Sequence, residues 1–264
     1  MAQPDLAWAR RQRARVVTPI RRYQDRGVII TGALGGIGLA IARRFATEGA
    51  RLTLVDLRAD DGPVLDELSA LGAAGVLSLA CDIADEAAVR DAVETSMAAH
   101  GDLRAVINVA GMMIFKPISE LTGAEWRRQL DVNLLGAAFF TAQAMRRMSP
   151  GGAIVNIASI HARQTSADIA PYAAAKAALL SLTRTTAIEG RSKGVRANAV
   201  LPGAINTPML WESPNIASGA EVLEPGDVGE PDDVAGPVLF LVSNDARFVN
   251  GVALDVDGGR LAKL

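Results

Sequence analysis

Tyr172 and Lys176 are the two residues whose types and spacing point most directly to chemistry. Residues four apart share one face of a helix, so the lysine ammonium lies one turn from the phenol and favours its ionised form. The ordinary pKa of tyrosine is near ~10, and the phenol becomes an effective base only when that pKa is lowered. Ser159, thirteen residues earlier, supplies a hydroxyl that can hold a substrate oxygen. This set predicts proton exchange with the oxygen of an alcohol or a ketone.

A glycine-rich run at residues 31–38, TGALGGIG, lies between the first predicted strand and the first predicted helix. Glycine is needed in such a turn because a side chain would hold the backbone away from a pyrophosphate that rests on the helix N-terminus. A glycine run also occurs in a plain tight turn, so it is the position of this run that favours a dinucleotide.

Asp56 ends the second predicted strand, in register with the glycine run. Its carboxylate can accept hydrogen bonds from the adenosine ribose, and its charge repels the phosphate that distinguishes NADP from NAD. The sequence therefore predicts NAD as the cofactor, with NADP less favoured. Arg58, two residues later, keeps NADP open because its side chain can swing toward a phosphate.

The elements that must position these residues follow a repeated βαβ pattern. Short apolar runs alternate with helical patterns, which is typical of a doubly wound α/β fold with a parallel sheet. The strands are predicted at 28–31, 52–56, 76–81, 105–109, 153–158, 195–201 and 252–256. A long helix is predicted over 125–148, and another helix begins at Pro231. The segment 207–229 contains three prolines and is predicted to be an irregular lid or binding loop.

Three motifs together resemble the single-domain form of the short-chain dehydrogenase/reductase family. They are the glycine run, the fourth-strand run NVAG at 108–111, and the tyrosine–lysine pair described above. The resemblance extends over residues 27–259. It departs at Val109, where a second asparagine is more usual, and at the basic N-terminal segment. It implies a seven-stranded parallel sheet of the Rossmann fold in one domain, usually assembled into homotetramers.

The resemblance also implies roles for individual residues. The implied catalytic set is Asn133, Ser159, Tyr172 and Lys176. Asn133 is expected to anchor a water-linked proton path from the lysine. The motifs and the resemblance together assign cofactor binding to Gly32, Leu34, Gly36, Ile37, Gly38, Asp56, Asp82, Ile83, Asn108, Ala110, Gly111, Tyr172, Lys176, Pro202, Ile205 and Thr207.

The predicted substrate contacts are Ser159, His161 and Met209. The alternative for His161 is an ordinary polar group on a surface loop. Apolar walls are predicted from residues that also fill gaps in ordinary cores, namely Met112, Met113, Met209, Leu210 and Trp211. No clustered spacing of histidine, cysteine or carboxylate residues predicts a metal site.

Composition places the chain among globular proteins, since half of its residues are hydrophobic. A net charge of −2 gives no reason to expect nucleic acid or an anionic membrane as a partner. The apolar runs are far shorter than the ~20 residues that cross a bilayer. The single cysteine, Cys81, follows apolar residues and is predicted to be buried, which fits a reducing cytoplasm.

Residues 1–26 are the local exception to this balanced charge, with seven arginines against two acids. They are predicted to form a basic, flexible N-terminal extension that precedes the cofactor-binding domain at 27–264. A basic arm for a partner and an organellar transit peptide are the alternatives for this segment.

These observations predict a cytoplasmic, NAD-dependent oxidoreductase. Its substrate is expected to be a small secondary alcohol, such as a sugar, polyol or hydroxy acid, or the corresponding ketone. An NADP-dependent 3-oxoacyl thioester reductase is the alternative enzyme, and Asp56 argues against it. A catalytically silent NAD-binding sensor is the alternative of another class, and the intact set of Ser159, Tyr172 and Lys176 argues against it.

Overall fold

The computed structural model describes residues 21–60, 62–219, 221–224 and 226–262. Within these residues, seven strands form one sheet and two short strands pair with each other. The strands are β1 (Gly27–Thr31), β2 (Arg51–Asp56), β3 (Gly75–Ala80), β4 (Ala105–Asn108), β5 (Ala153–Ile157), β6 (Arg196–Pro202), β7 (Ala204–Ile205), β8 (Val228–Gly229) and β9 (Ala253–Val256).

The seven-stranded sheet has the order β3-β2-β1-β4-β5-β6-β9, and each strand runs parallel to its neighbours. The doubly wound, seven-stranded prediction is therefore confirmed. The predicted and observed strand ends agree to within one residue. The direction of winding reverses between β1 and β4, and in such sheets this is where a crevice for ligands forms.

Helices cover both faces of the sheet. Phe45 and Leu239 lie in the apolar core on one face, and Val93 and Phe140 lie in the core on the other. The helices are α1 (Gly36–Thr47), α2 (Pro63–Leu71), α3 (Glu86–His100), α4 (Gly123–Leu130), α5 (Gly136–Arg147), α6 (Ala170–Gly190), α7 (Pro208–Trp211), α8 (Pro214–Ala217) and α9 (Pro231–Val242). In the described part of the chain, no helix has the length and apolar character needed to cross a membrane.

The predicted helix over 125–148 is interrupted. It consists of α4 and α5, joined by one turn of π-helix at Asp131–Leu135. At this interruption the side-chain amide of Asn133 hydrogen-bonds to both the N–H and the carbonyl of Met112. The spacing of apolar residues along the helix gives no sign of such a contact. Single π turns inside helices occur frequently at functional sites.

The segment 207–229 is more regular than predicted. It contains α7 and α8, and β8 near its end pairs with β7. Pro208 and Pro214 begin the two helices, where a missing N–H has no consequence because first-turn amides have no partner within the helix. The prolines thus start short helices here.

The structure describes residues 21–26 of the predicted N-terminal extension, and residues 1–20 lie outside the described residues. Tyr23 is buried, with its ring edge-on to Phe45 at a centroid distance of 4.7 Å. Its hydroxyl donates a hydrogen bond to the carbonyl of Leu239. The folded domain therefore begins before residue 27, because this aromatic ring fills space between α1 and α9.

Candidate active site

A cavity of about 710 Å³ lies at the carboxyl edge of the sheet, beside the ends of β1 and β4. Most of the predicted site residues line it: Gly32, Leu34, Gly36, Ile37, Gly38, Asp56, Asp82, Ile83, Ala110, Gly111, Ser159, His161, Tyr172, Lys176, Pro202, Ile205, Thr207 and Met209. Asn108 and Asn133 are the two predicted residues that lie behind its wall.

Cys81 is buried as predicted, and burial raises the pKa of its thiol to about 11.

The glycine turn leaves no room for a side chain at Gly32 or at Gly38. Gly32 has a positive φ of 61°, and a Cβ on it would lie 2.8 Å from the Cα of Ala110. A Cβ on Gly38 would lie 2.1 Å from the carbonyl oxygen of Gly32. Helix α1 begins at Gly36, and its N-cap Gly35 has no side chain to cap the first amides. This cradle of free amides at a helix N-terminus fits the pyrophosphate of a dinucleotide.

Asp56 connects the glycine turn to the end of β2. One carboxylate oxygen accepts a hydrogen bond from the amide of Leu34 at 3.0 Å, and the other accepts one from the amide of Leu57 at 2.8 Å. Arg58 also lines the cavity. Each carboxylate oxygen has two lone pairs, so Asp56 retains capacity to accept further hydrogen bonds, for example from a ribose.

The floor between β1 and β4 is held together by a threonine hydroxyl. The Oγ1 of Thr31 accepts hydrogen bonds from the amides of Val109 and Ala110, at 3.0 and 3.1 Å. Asn108 lies beneath this floor. It is paired with Asn156 in the sheet register and donates to the side-chain oxygen of that residue at 2.8 Å. Asn108 therefore lies behind the cavity lining with its Nδ2 bonded inside the sheet, and its expected part in cofactor binding stays a prediction.

Helix α6 places Tyr172 and Lys176 together in the cavity wall, and both side chains are buried. The Nζ of Lys176 lies 5.6 Å from the centroid of the Tyr172 ring and donates to the carbonyl of Ile157 at 2.9 Å. Because burial disfavours the ammonium, the pKa of Lys176 falls to about 8.

The pKa of Tyr172 is raised to about 12 because burial disfavours the phenolate, although the hydrogen bond with Ser159 acts in the opposite direction. The expected lowering of this pKa is not present in the protein alone, where burial is the largest influence on the phenol. Further positive charge in the cavity is needed to make this phenol a base near neutral pH.

Ser159 and His161 belong to one short turn after β5. The Oγ of Ser159 accepts a hydrogen bond from the amide of His161 at 3.2 Å. The imidazole of His161 is edge-on to the Tyr172 ring, with centroids 6.3 Å apart, and it is half-buried. Burial lowers its pKa, so the ring is neutral at neutral pH. Of the two interpretations of His161, the structure supports a place in the cavity wall.

Asn133 lies behind the cavity wall, in the π turn between α4 and α5. Its side chain accepts from the amide of Met112 at 3.1 Å and donates to the Met112 carbonyl at 2.9 Å and to the Gln129 carbonyl at 3.0 Å. Met112 lines the cavity. Asn133 therefore positions a stretch of the wall, and its expected part in a proton path stays a prediction.

The predicted apolar wall is largely present, since Met112, Met113, Met209 and Leu210 line the cavity. Trp211 does not line it: the ring is more than half exposed, and its Nε1 donates to Asn206 at 2.9 Å. Glu221 and Arg260 also line the cavity, although no motif of the sequence marks either residue. The signal that could have found Arg260 is the Asp-Gly-Gly turn at 257–259, which follows the last strand at the same edge of the sheet.

Comparison with known proteins agrees with this geometry. The chain matches a family profile described as enoyl-(acyl carrier protein) reductase over residues 32–260. It is 36% identical to L-rhamnose 1-dehydrogenase (NAD(P)(+)) of Azotobacter vinelandii, over 91% of this chain and 98% of that protein. It is 32% identical to D-threitol dehydrogenase of Mycolicibacterium smegmatis, over 92% of this chain and 95% of that protein.

The fold is also that of solved structures. A short-chain dehydrogenase from Burkholderia cenocepacia, crystallised in complex with NADP, superposes with a TM-score of 0.82 at 31% identity. The alignment covers 90% of this chain and 98% of that one. On this combination of sequence, fold and site geometry, the chain belongs to the short-chain dehydrogenase/reductase family, the enzymes that act on CH–OH groups with a nicotinamide cofactor.

Proposed function

We propose that this enzyme is an NAD-dependent oxidoreductase that interconverts a small secondary alcohol and its ketone, with Tyr172 as the acid/base. The main support is the buried pair of Tyr172 and Lys176, which lies with Ser159 in the wall of the cavity that begins at the glycine turn. The names of the sugar and polyol dehydrogenases that this chain resembles also favour a secondary alcohol.

The roles of the residues follow from their positions. The hydroxyl of Ser159 holds the substrate oxygen beside the phenol of Tyr172, which takes the proton in oxidation and returns it in reduction. A bound nicotinamide ring supplies the hydride acceptor or donor and, when oxidised, a positive charge that favours the phenolate. Lys176 adds a second positive charge while protonated. Its bond to the Ile157 carbonyl fixes its Nζ near the phenol.

The preference for NAD rests on Asp56. Its carboxylate lies at the end of β2 against the glycine turn, where a 2′-phosphate on the ribose would meet a negative charge at close range. Asp82 lies further along the same edge and forms an ion pair of 3.3 Å with Arg128. Arg58 and Arg128 are the two cavity-lining cations that favour NADP. The charge of Asp56 outweighs theirs in this proposal because both arginine side chains are exposed, and solvent and salt screen their charges.

Two further expectations belong to this proposal. The resemblance implies a homotetramer, and size-exclusion chromatography with light scattering measures the mass in solution. The balanced charge and the single buried cysteine are consistent with a cytoplasmic enzyme whose substrate is a small molecule, with neither nucleic acid nor membrane as a partner.

A panel of secondary alcohols and ketones, assayed in parallel with NAD and NADP, tests the proposed reaction. We expect alcohol-dependent reduction of NAD, and a loss in kcat of about 100- to 10,000-fold in Tyr172→Phe. Phenylalanine fills the same space, so cofactor binding, followed by quenching of intrinsic fluorescence, should persist in this variant. Near-normal turnover by Tyr172→Phe would exclude the phenol as the acid/base.

Two other outcomes separate the alternatives. Reduction of 3-oxoacyl thioesters with NADPH, without turnover of simple alcohols, would favour the thioester reductase. The matching family profile is described as a reductase of another acyl-carrier-protein substrate. Tight cofactor binding without turnover of any alcohol or ketone in the panel would favour the catalytically silent sensor.

A further inference from the structure

An ion pair between a buried arginine and a partly buried glutamate lies in the wall of the cavity, and the proposed chemistry does not use it. Arg260 is only 7% exposed, and its Nη2 donates to a carboxylate oxygen of Glu221. Its other terminal nitrogen, Nη1, is buried and has no hydrogen-bond partner among the described residues. A buried donor without a partner is unfavourable, because it has lost its hydrogen bonds to water. The guanidinium therefore has hydrogen-bonding capacity that the described residues leave unused.

The ion pair lies near the reacting phenol. His161 is edge-on to Tyr172, at a centroid distance of 6.3 Å. Glu221 and Arg260 line the same cavity as His161, and their charges act on the pKa of that imidazole in opposite directions. The Nδ1 of His161 is likewise buried with no partner in the part of the chain that the structure describes. This part of the cavity wall thus combines a donor in Arg260, an acceptor in Glu221 and the imidazole of His161.

The backbone that carries Arg260 is firmly held. The carboxylate of Asp257 accepts hydrogen bonds from the amides of Gly259 and Leu261, at 2.9 and 2.7 Å. Gly258 and Gly259 both have positive φ, which closes the turn tightly after β9. The arginine therefore projects from a fixed turn at the carboxyl edge of the sheet.

The charge of the pair limits what it can bind. Glu221 neutralises Arg260, so a substrate carboxylate would meet a negative charge beside the positive one. A hydroxyl group suits both partners, because it accepts from a guanidinium and donates to a carboxylate. An apolar group satisfies neither partner.

We propose that Arg260 and Glu221 bind a second hydroxyl of the substrate, remote from the carbon that reacts, and thereby select uncharged diols, polyols or sugars. This inference rests on the proposed alcohol dehydrogenase activity and narrows its substrate class. On this inference hydroxy acids are poorer substrates because their carboxylate meets the charge of Glu221, and plain alcohols are poorer substrates because they offer no second hydroxyl to the pair.

The test compares substrates that differ only in the remote group: cyclohexanol, cyclohexane-1,2-diol, -1,3-diol and -1,4-diol, and the matching hydroxycyclohexanecarboxylates. For the wild-type enzyme we expect kcat/KM for the best diol to exceed that for cyclohexanol by about 10- to 100-fold. Arg260→Met should reduce this ratio by at least ~10-fold, mainly through KM. Glu221→Gln should raise kcat/KM for the carboxylates relative to the diols, because the arginine charge is then uncompensated.

A matched control uses another arginine that pairs with a carboxylate near β9. Arg163 lies 3.2 Å from Asp255 and outside the cavity lining, so Arg163→Met should leave the ratio between diol and cyclohexanol unchanged. A wild-type enzyme that oxidises cyclohexanol without preferring any diol, or that prefers a carboxylate, would overturn the inference alone. Failure to turn over any member of the panel with either cofactor would overturn the proposed function, and this inference with it.

Discussion

The carboxylate of Asp56 accepts a hydrogen bond from the backbone amide of Leu34 at 3.0 Å, so the residue proposed to select the cofactor also braces the glycine turn. A test of selectivity must separate these two roles. Replacement by alanine removes both the charge and the acceptor, whereas replacement by asparagine removes the charge and keeps an oxygen that can accept from Leu34.

Asp56→Asn should lower the ratio of kcat/KM for NAD to that for NADP by at least ~10-fold, because the repulsion of the 2′-phosphate is lost. Steady-state kinetics with both cofactors measure this ratio. Asp60→Asn is the control, since Asp60 accepts from the amides at the start of α2 and does not line the cavity. An unchanged ratio in Asp56→Asn would mean that another group selects the cofactor.

Two glycines of the turn should differ sharply in their tolerance of a methyl group. In Gly38→Ala the new Cβ would lie 2.1 Å from the backbone oxygen of Gly32, so the free energy of unfolding should fall by about 1–3 kcal/mol or more. In Gly35→Ala the corresponding contact is 3.4 Å, and the change should stay within ~0.5 kcal/mol. Chemical denaturation of both variants without cofactor makes the comparison. Equal stability of the two variants would contradict the close packing in the turn.

The stability of the enzyme should depend on pH through Lys176. In the folded protein this side chain loses its proton near pH 8, and in the unfolded chain near its ordinary value of 10.5. Between these pH values the unfolded state binds more protons, so native stability rises with pH; below pH 8 the full penalty for burying the ammonium remains.

Lys176→Met has no proton to lose, so the stability of the wild type relative to this variant should increase by about 1–2 kcal/mol from pH 7 to pH 9.5. Urea denaturation at several pH values in this range, which stays below the ordinary pKa of tyrosine, measures the difference. A difference that is constant with pH would show that Lys176 keeps its ordinary pKa in the folded protein.

The role of Asn133 in holding Met112 in the cavity wall can be tested by substitution. Asn133→Ala removes the hydrogen bonds of 3.1 and 2.9 Å to Met112 and leaves buried backbone groups unpaired, so we expect a loss of about 1–3 kcal/mol in unfolding free energy. The KM for the alcohol should rise as well, because Met112 lines the cavity. Asn244→Ala, at an exposed position, is the control and should change stability by no more than ~0.5 kcal/mol. Wild-type stability in Asn133→Ala would argue against this positioning role.

The elements of the fold and the rim of the site could be predicted because local patterns determine them. Apolar runs mark the strands, and parallel strands bring their carboxyl ends to one edge. Residues at or just after the carboxyl ends of different strands, such as Asp56, Ser159 and Pro202, were therefore expected at that edge. The helical spacing of Tyr172 and Lys176 likewise placed both side chains in one wall of the cavity.

What could not be predicted depends on contacts between distant parts of the chain. The π turn around Asn133 has the same apolar spacing as a regular helix, and only its contact with Met112 distinguishes it. The raised pKa of Tyr172 comes from burial by its whole surroundings, which a four-residue spacing does not report. Glu221 and Arg260 are separated by 39 positions, and neither forms part of a motif.

The anchoring of Tyr23 has a practical consequence. Residues 23–26 adjoin the amino ends of the strands, since the amide of Arg51, at the start of β2, donates to the carbonyl of Arg26. The glycine turn lies at the opposite, carboxyl ends of the strands. A strand of five residues, such as β1, spans about 17 Å. An immobilisation handle attached within residues 21–26 would therefore lie at the rim of the sheet opposite the glycine turn and away from the cavity.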